Sequence, residues 1–105
     1  MEKKLKTLLT YSHNASWFTL RHVLVVDYIF NRCNESEVIY SRDLISHLGL
    51  YQSTVNRILG SLSDFGTRQY SLRWVAYEMS KQDRRQREIS LTPLGKAVQQ
   101  HYLEF

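Results

Sequence analysis

The stretch Asp83-Arg84-Arg85-Gln86-Arg87-Glu88-Ile89-Ser90-Leu91-Thr92-Pro93-Leu94-Gly95 decides how this sequence is read. It begins as a basic run headed by one acid, passes into alternating polar and apolar residues, and ends in a Thr-Pro dipeptide. The alternation from Arg87 to Thr92 puts Ile89 and Leu91 on one face, the pattern of a half-buried strand. Thr92-Pro93 opens a helix, because the amide that Pro lacks is one that the first turn leaves unpaired anyway. A charged arm that returns into a strand, with a helix launched directly behind it, suits contact with a polyanion.

Working backward, Trp74-Val75-Ala76-Tyr77-Glu78-Met79 has strand-forming composition, and Ser80-Lys81-Gln82-Asp83-Arg84-Arg85 is a polar tip between two strands. Charge follows the same boundaries. From Thr67 to Arg87 six basic residues (Arg68, Arg73, Lys81, Arg84, Arg85, Arg87) stand against two acids (Glu78, Asp83). That net of +4 equals the charge of the whole chain, so everything outside the window sums to zero. Basicity gathered into one segment is the expected footprint of a nucleic-acid partner; an ordinary solvated hairpin that happens to be Arg-rich is the plain alternative.

Upstream, the segment from Gly49 to Phe65 supplies a second signal. Ser41 is read as the cap of a short helix through Leu44, Ile45 and Leu48, which stops at Gly49. After Leu50-Tyr51, the residues Val55, Ile58, Leu59, Leu62 and Phe65 form one apolar stripe at helical spacing, closed by Asp64-Phe65-Gly66. Two short helices joined by a tight Gly-containing turn are a helix-turn-helix. The second helix presents Gln52, Ser53, Asn56 and Arg57 away from its stripe, with Thr54 beside them. Amides pair with adenine edges, guanidinium groups with guanine or phosphate, and hydroxyls with either, whereas a merely solvated face usually carries Glu and Lys.

The remaining segments fit around these two. Residues 1–16 carry Leu5, Leu8 and Leu9 among lysines, a short amphipathic helix or docking arm, with a break from Tyr11 to Ser16. Thr19 caps Leu20–Phe30, apolar almost all round; its β-branched content also suits a strand, but length and cap favour a buried helix. Val38-Ile39-Tyr40 is a minor strand, and Thr67–Arg73 either extends the preceding helix or forms a loop. Residues 93–105 form a final helix with a stripe of Leu94, Ala97, Val98, His101, Tyr102 and Phe105, whose end at His101, Tyr102 and Phe105 is expected at the surface. The predicted fold class is therefore mainly α (α+β): a winged helix-turn-helix with a short two- to three-stranded antiparallel wing sheet, in one domain over residues 1–105.

At the level of residues the sequence resembles the MarR family of bacterial transcription regulators. Asp83-Arg84-Arg85, then Ile89-Ser90-Leu91-Thr92 and Gly95-Lys96-Ala97, are similar in register to that family's wing signature. Gly49-Leu50, Ser53-Thr54-Val55 and Arg57 resemble its recognition helix, and Trp74-Val75 its first wing strand. The resemblance implies sequence-specific binding to double-stranded DNA. Gln52, Ser53, Thr54, Asn56 and Arg57 would work at the major groove, and Lys81, Arg84, Arg85 and Arg87 at phosphates or the minor groove, with Asp83 orienting an arginine. It also implies a homodimer through the N- and C-terminal helices and a cytoplasmic, nucleoid-associated location. The sequence departs from the family in Tyr51, where a small cap is usual, in the insertion Thr67–Arg73, and in its short ends, which argue against a ligand pocket.

Other functions find little support. No apolar run approaches the roughly 20 residues of a membrane span, and no signal peptide is read at Met1–Leu5. Cys33, the single cysteine, suits a reducing cytoplasm and is read as an idle thiol in a polar loop before a redox sensor. His13, His22, His47 and His101 lack metal-ligand spacing, with His22 expected on a helix surface and His47 at a helix end. Neither a phosphate loop nor an acid pair stands out, so no enzyme, cofactor or metal is expected. The alternative function is a winged helix that binds protein, as an adaptor or antagonist of another regulator, or as a module of a replication initiator.

Overall fold

The computed structural model describes residues 2–33, 38–63, 72–79 and 87–104. Within them run α1 (Glu2–Tyr11), α2 (Leu20–Arg32), β1 (Ile39–Tyr40), α3 (Ser41–Leu48), α4 (Gln52–Leu62), β2 (Val75–Met79), β3 (Arg87–Leu91) and α5 (Pro93–Leu103). This is the winged helix-turn-helix order. The three strands form one antiparallel sheet in the order β1-β3-β2, with Ile39 opposite Ile89, Tyr77 opposite Ile89 and Val75 opposite Leu91.

The core lies where α2, α4, α5 and the inner face of the sheet meet. Val25, Val26, Ile29 and Phe30 of α2, Val55, Ile58, Leu59 and Leu62 of α4, Trp74, Val75 and Ile89 of the wing, and Val98 and Tyr102 of α5 are all buried. The α4 stripe is thus buried along the described helix, whereas Phe65 lies outside the described residues. Helix α2 is less enclosed than its composition suggests, since Leu20 and Leu24 are exposed.

The Thr92-Pro93-Leu94-Gly95 sequence fastens the wing to α5. Thr92 Oγ1 accepts from the Gly95 amide at 2.9 Å, the N-cap bond, and donates to the Arg73 carbonyl at 2.7 Å. The Thr92 amide donates to the Trp74 carbonyl at 3.1 Å. Gly95 is required there: a Cβ at that position would lie 1.9 Å from the Trp74 carbonyl oxygen. The Trp74 ring itself is buried against Phe18 and Phe30, with centroids 5.8 and 6.1 Å away.

Four local expectations are corrected. Tyr40, not Ser41, is the N-cap of α3. Its amide donates to Asp43 Oδ2 at 2.9 Å, while Ser41 enters the helix and its Oγ accepts from the Arg87 amide at 3.2 Å. Tyr102 is buried, and its hydroxyl donates to Asp27 Oδ1 at 2.5 Å, whereas Leu94, Ala97 and His101 of the same predicted stripe are exposed. Cys33 is the C-cap of α2 and is buried, its thiol 3.9 Å from the Ile89 carbonyl oxygen. His22 is half-buried, as described below.

Candidate nucleic-acid interface

Gly49 sets the angle between α3 and α4. It adopts the left-handed conformation (φ 66°) that L side chains avoid, and its amide donates to the Ile45 carbonyl at 3.0 Å. Leu50, half-buried, packs against the core and anchors the turn. Helix α4 then begins behind Tyr51, an N-cap whose side chain makes no capping bond and is 82% exposed.

With its apolar stripe buried, α4 turns its other side outward. Gln52, Ser53 and Arg57 are exposed, and Thr54 and Asn56 are half-buried. Gln52 and Asn56 stand one turn apart, as do Ser53 and Arg57, so the four side chains share the outer face. None of these five side chains has a hydrogen-bond or ion-pair partner among the described residues. Within the described residues, their donors and acceptors are available to a ligand.

The wing contributes one described member of the predicted set. Arg87 is half-buried at the start of β3, and its guanidinium lies 4.8 Å from the Tyr77 ring centroid, a cation–π contact that holds it at the base of the arm. Lys81, Arg84 and Arg85, together with Asp83, lie outside the described residues, as do residues 64–71, which include most of the insertion.

Sequence reasoning missed a cavity of about 550 Å³ between the start of α2 and the flank of α4. Trp17, Thr19, Arg21, His22, Arg57, Ile58 and Ser61 line it. His22 Nδ1 accepts from the Thr19 amide at 3.2 Å and lies 2.9 Å from Thr19 Oγ1, so the ring closes the first turn of α2. The Trp17 and Phe18 rings each stand 5.5 Å from it. Burial, and then the charge of Arg57, hold the imidazole below its usual pKa. Neither Arg21 nor Arg57 has an ion-pair partner among the described residues. Only the Trp17-Phe18 pair hinted at this wall, and nothing in the sequence tied it to Arg57.

No group of three or more His, Cys, Asp or Glu that could hold a metal occurs among the described residues. None of their helices is long and apolar enough to cross a membrane.

No protein-family model matches the sequence, and no curated protein matches it. Among solved structures, the chain is similar to the heme sensor protein PefR from Streptococcus agalactiae, crystallised in complex with heme. The two are 19% identical, with a TM-score of 0.60, over 94% of this chain and 65% of that one. This chain therefore spans slightly less than two thirds of PefR, and the likeness is one of fold.

Proposed function

We propose that this chain is a sequence-specific double-stranded DNA-binding regulator of MarR-like type, with α4 in the major groove and the basic arm on phosphates or the minor groove. One observation carries the reading. The second helix of a helix-turn-helix buries its apolar stripe and presents Gln52, Ser53, Asn56 and Arg57 outward, without side-chain partners among the described residues. That is the arrangement by which a recognition helix meets base edges. The arm's net charge adds the sequence-independent, salt-sensitive part of the affinity.

Selection of bound duplexes from a random pool, followed by mobility-shift titration at two salt concentrations, tests the proposal. Asn56→Ala should relax sequence choice by about 1–3 kcal/mol at one position. Arg85→Ala should weaken binding on all sequences and lower the salt slope by about 1. Absence of salt-sensitive binding by the unaltered chain at micromolar protein would favour the protein-binding adaptor instead.

Under the same reading the protein is a homodimer through α1 and α5, which pack on each other and leave Leu5, Leu9, Leu94 and Leu103 exposed. Selected duplexes should then show two half-sites roughly 34 Å apart. A monomer in sedimentation would remove that requirement. The cavity beside Arg57 supports a ligand reading as well. Two guanidinium groups without an ion-pair partner among the described residues, set at an indole wall, suit a small aromatic carboxylate, and quenching of Trp17 fluorescence by benzoate, lost in Arg21→Ala, would test it.

A further inference from the structure

Tyr51 is the most exposed large apolar side chain among the described residues, and it stands at the threshold of the recognition helix. Its position is costly. An N-cap residue with a side-chain oxygen that accepts from the first turn adds about 1 kcal/mol to helix stability, and Tyr51 supplies no such bond. The ring does not compensate by packing, for it is 82% exposed, and the hydroxyl has no hydrogen-bond partner among the described residues. Its backbone is nonetheless held firmly. The Gly49 turn and half-buried Leu50 precede it, and its carbonyl accepts from the Val55 amide at 3.0 Å. A large ring on a fixed backbone, with no folding role, is placed for an outside contact.

Its neighbours say which contact. Gln52 and Ser53 follow directly on the first turn, and both are exposed. A helix that enters the major groove N-terminus first carries its N-cap side chain deepest or against the adjacent strand. The apolar feature that the major groove offers is the thymine C5-methyl group, and the polar groups beside it are phosphate oxygens. A phenol matches both, with ring face to methyl and hydroxyl to phosphate.

We infer that Tyr51 reads a thymine methyl group next to the bases contacted by Gln52 and Asn56. The inference rests on the DNA-binding reading above. It makes Tyr51 a specificity residue of this chain's own, and it assigns a use to the one position where the turn departs from the usual small cap.

The experiment uses the full chain and a duplex recovered from the random-pool selection. Each thymine is replaced in turn by deoxyuridine, which removes the C5-methyl alone. The unaltered protein should lose about fourfold in affinity at one thymine per half-site, the factor that burial of a single methyl group brings. Tyr51→Ala should melt at the unaltered temperature and show no penalty at that position. Tyr51→Phe should keep the penalty while binding more weakly on every duplex. A Tyr51→Ala protein with unchanged affinity and an unchanged deoxyuridine profile would overturn the assignment and leave DNA binding standing. The assignment also fails if Tyr51→Phe lacks the penalty. Failure of the unaltered chain to bind any duplex in a salt-dependent way would overturn both the DNA reading and the assignment.

Discussion

Gly95→Ala tests whether the junction of wing and α5 is as tight as its geometry indicates. The new Cβ would lie 1.9 Å from the Trp74 carbonyl oxygen, 2.8 Å from its carbon and 3.2 Å from its Cα. Restoring an ordinary separation of roughly 3.5 Å requires a shift of about 1.5 Å between α5 and the wing. Trp74 resists that shift: its amide donates to the Leu62 carbonyl at 2.8 Å, its carbonyl accepts from Thr92, and its ring is 1% exposed. If α5 moves instead, the Thr92 cap and part of the burial of Val98 and Tyr102 are lost. A cap is worth about 1 kcal/mol and each apolar side chain about 1.5–3 kcal/mol, so a loss of about 3 kcal/mol or more follows. For a domain of this size that is a fall in Tm of about 15 °C or more. Thermal denaturation by circular dichroism measures it, with Gly60→Ala as control. A Cβ at Gly60 meets nothing within 4 Å, and Ala in a helix interior should raise stability by about 1 kcal/mol. If Gly95→Ala melted within about 5 °C of the unaltered chain, the close approach described here would be refuted.

Three further outcomes are expected. Thr92→Ala should cost about 1–2 kcal/mol in urea denaturation, with Thr92→Ser recovering most of it, because the hydroxyl that accepts from the Gly95 amide and donates to the Arg73 carbonyl is what the substitution removes. Gln99→Leu should cost about 1–3 kcal/mol, since Gln99 Nε2 donates to the carbonyls of Phe30 at 2.8 Å and Cys33 at 2.7 Å and closes the end of α2; a neutral result would mean that water replaces the amide. The third concerns pH. His22 has a folded pKa below its ordinary 6.5, so the unfolded chain binds the proton more readily. Its contribution is complete above that ordinary value and is lost as pH falls through the lowered one. Between about pH 7.5 and about pH 5, the unaltered chain should therefore lose more stability than His22→Gln. Parallel stability curves would refute the linkage.

The parts of the fold that were legible in the sequence are those set by neighbouring residues. The α4 stripe follows from 3.6-residue periodicity, and Thr92-Pro93 marks a helix start by local chemistry alone. Gly49 stops α3 for the same reason. What was not legible depends on partners far along the chain. The sequence points Tyr102 to the surface, yet it is buried, because α1 covers one side of α5 and Asp27, 75 residues earlier, accepts a hydrogen bond from its hydroxyl. Ser41 has the chemistry of a cap, but its hydroxyl accepts from the Arg87 amide, 46 residues later. Cys33 looked like loop and became core because β3 passes beside it. At the candidate interface, periodicity alone gave the outer face of α4. The cavity required knowing that Trp17 and Arg57, in separate segments, share a wall.

The bond from the Arg87 amide to Ser41 Oγ has a mechanical consequence. Strand β3 pairs on one side with β2 and on the other with β1, which runs directly into α3. The arm and the helix-turn-helix therefore share a pivot at the first turn of α3. A load on the arm is transmitted across β3 to α3 before it reaches the terminal helices. If the proposed DNA-binding reading holds, wing and reading helix would settle on a bent duplex as one lever, and local curvature of the duplex would become part of what the protein weighs.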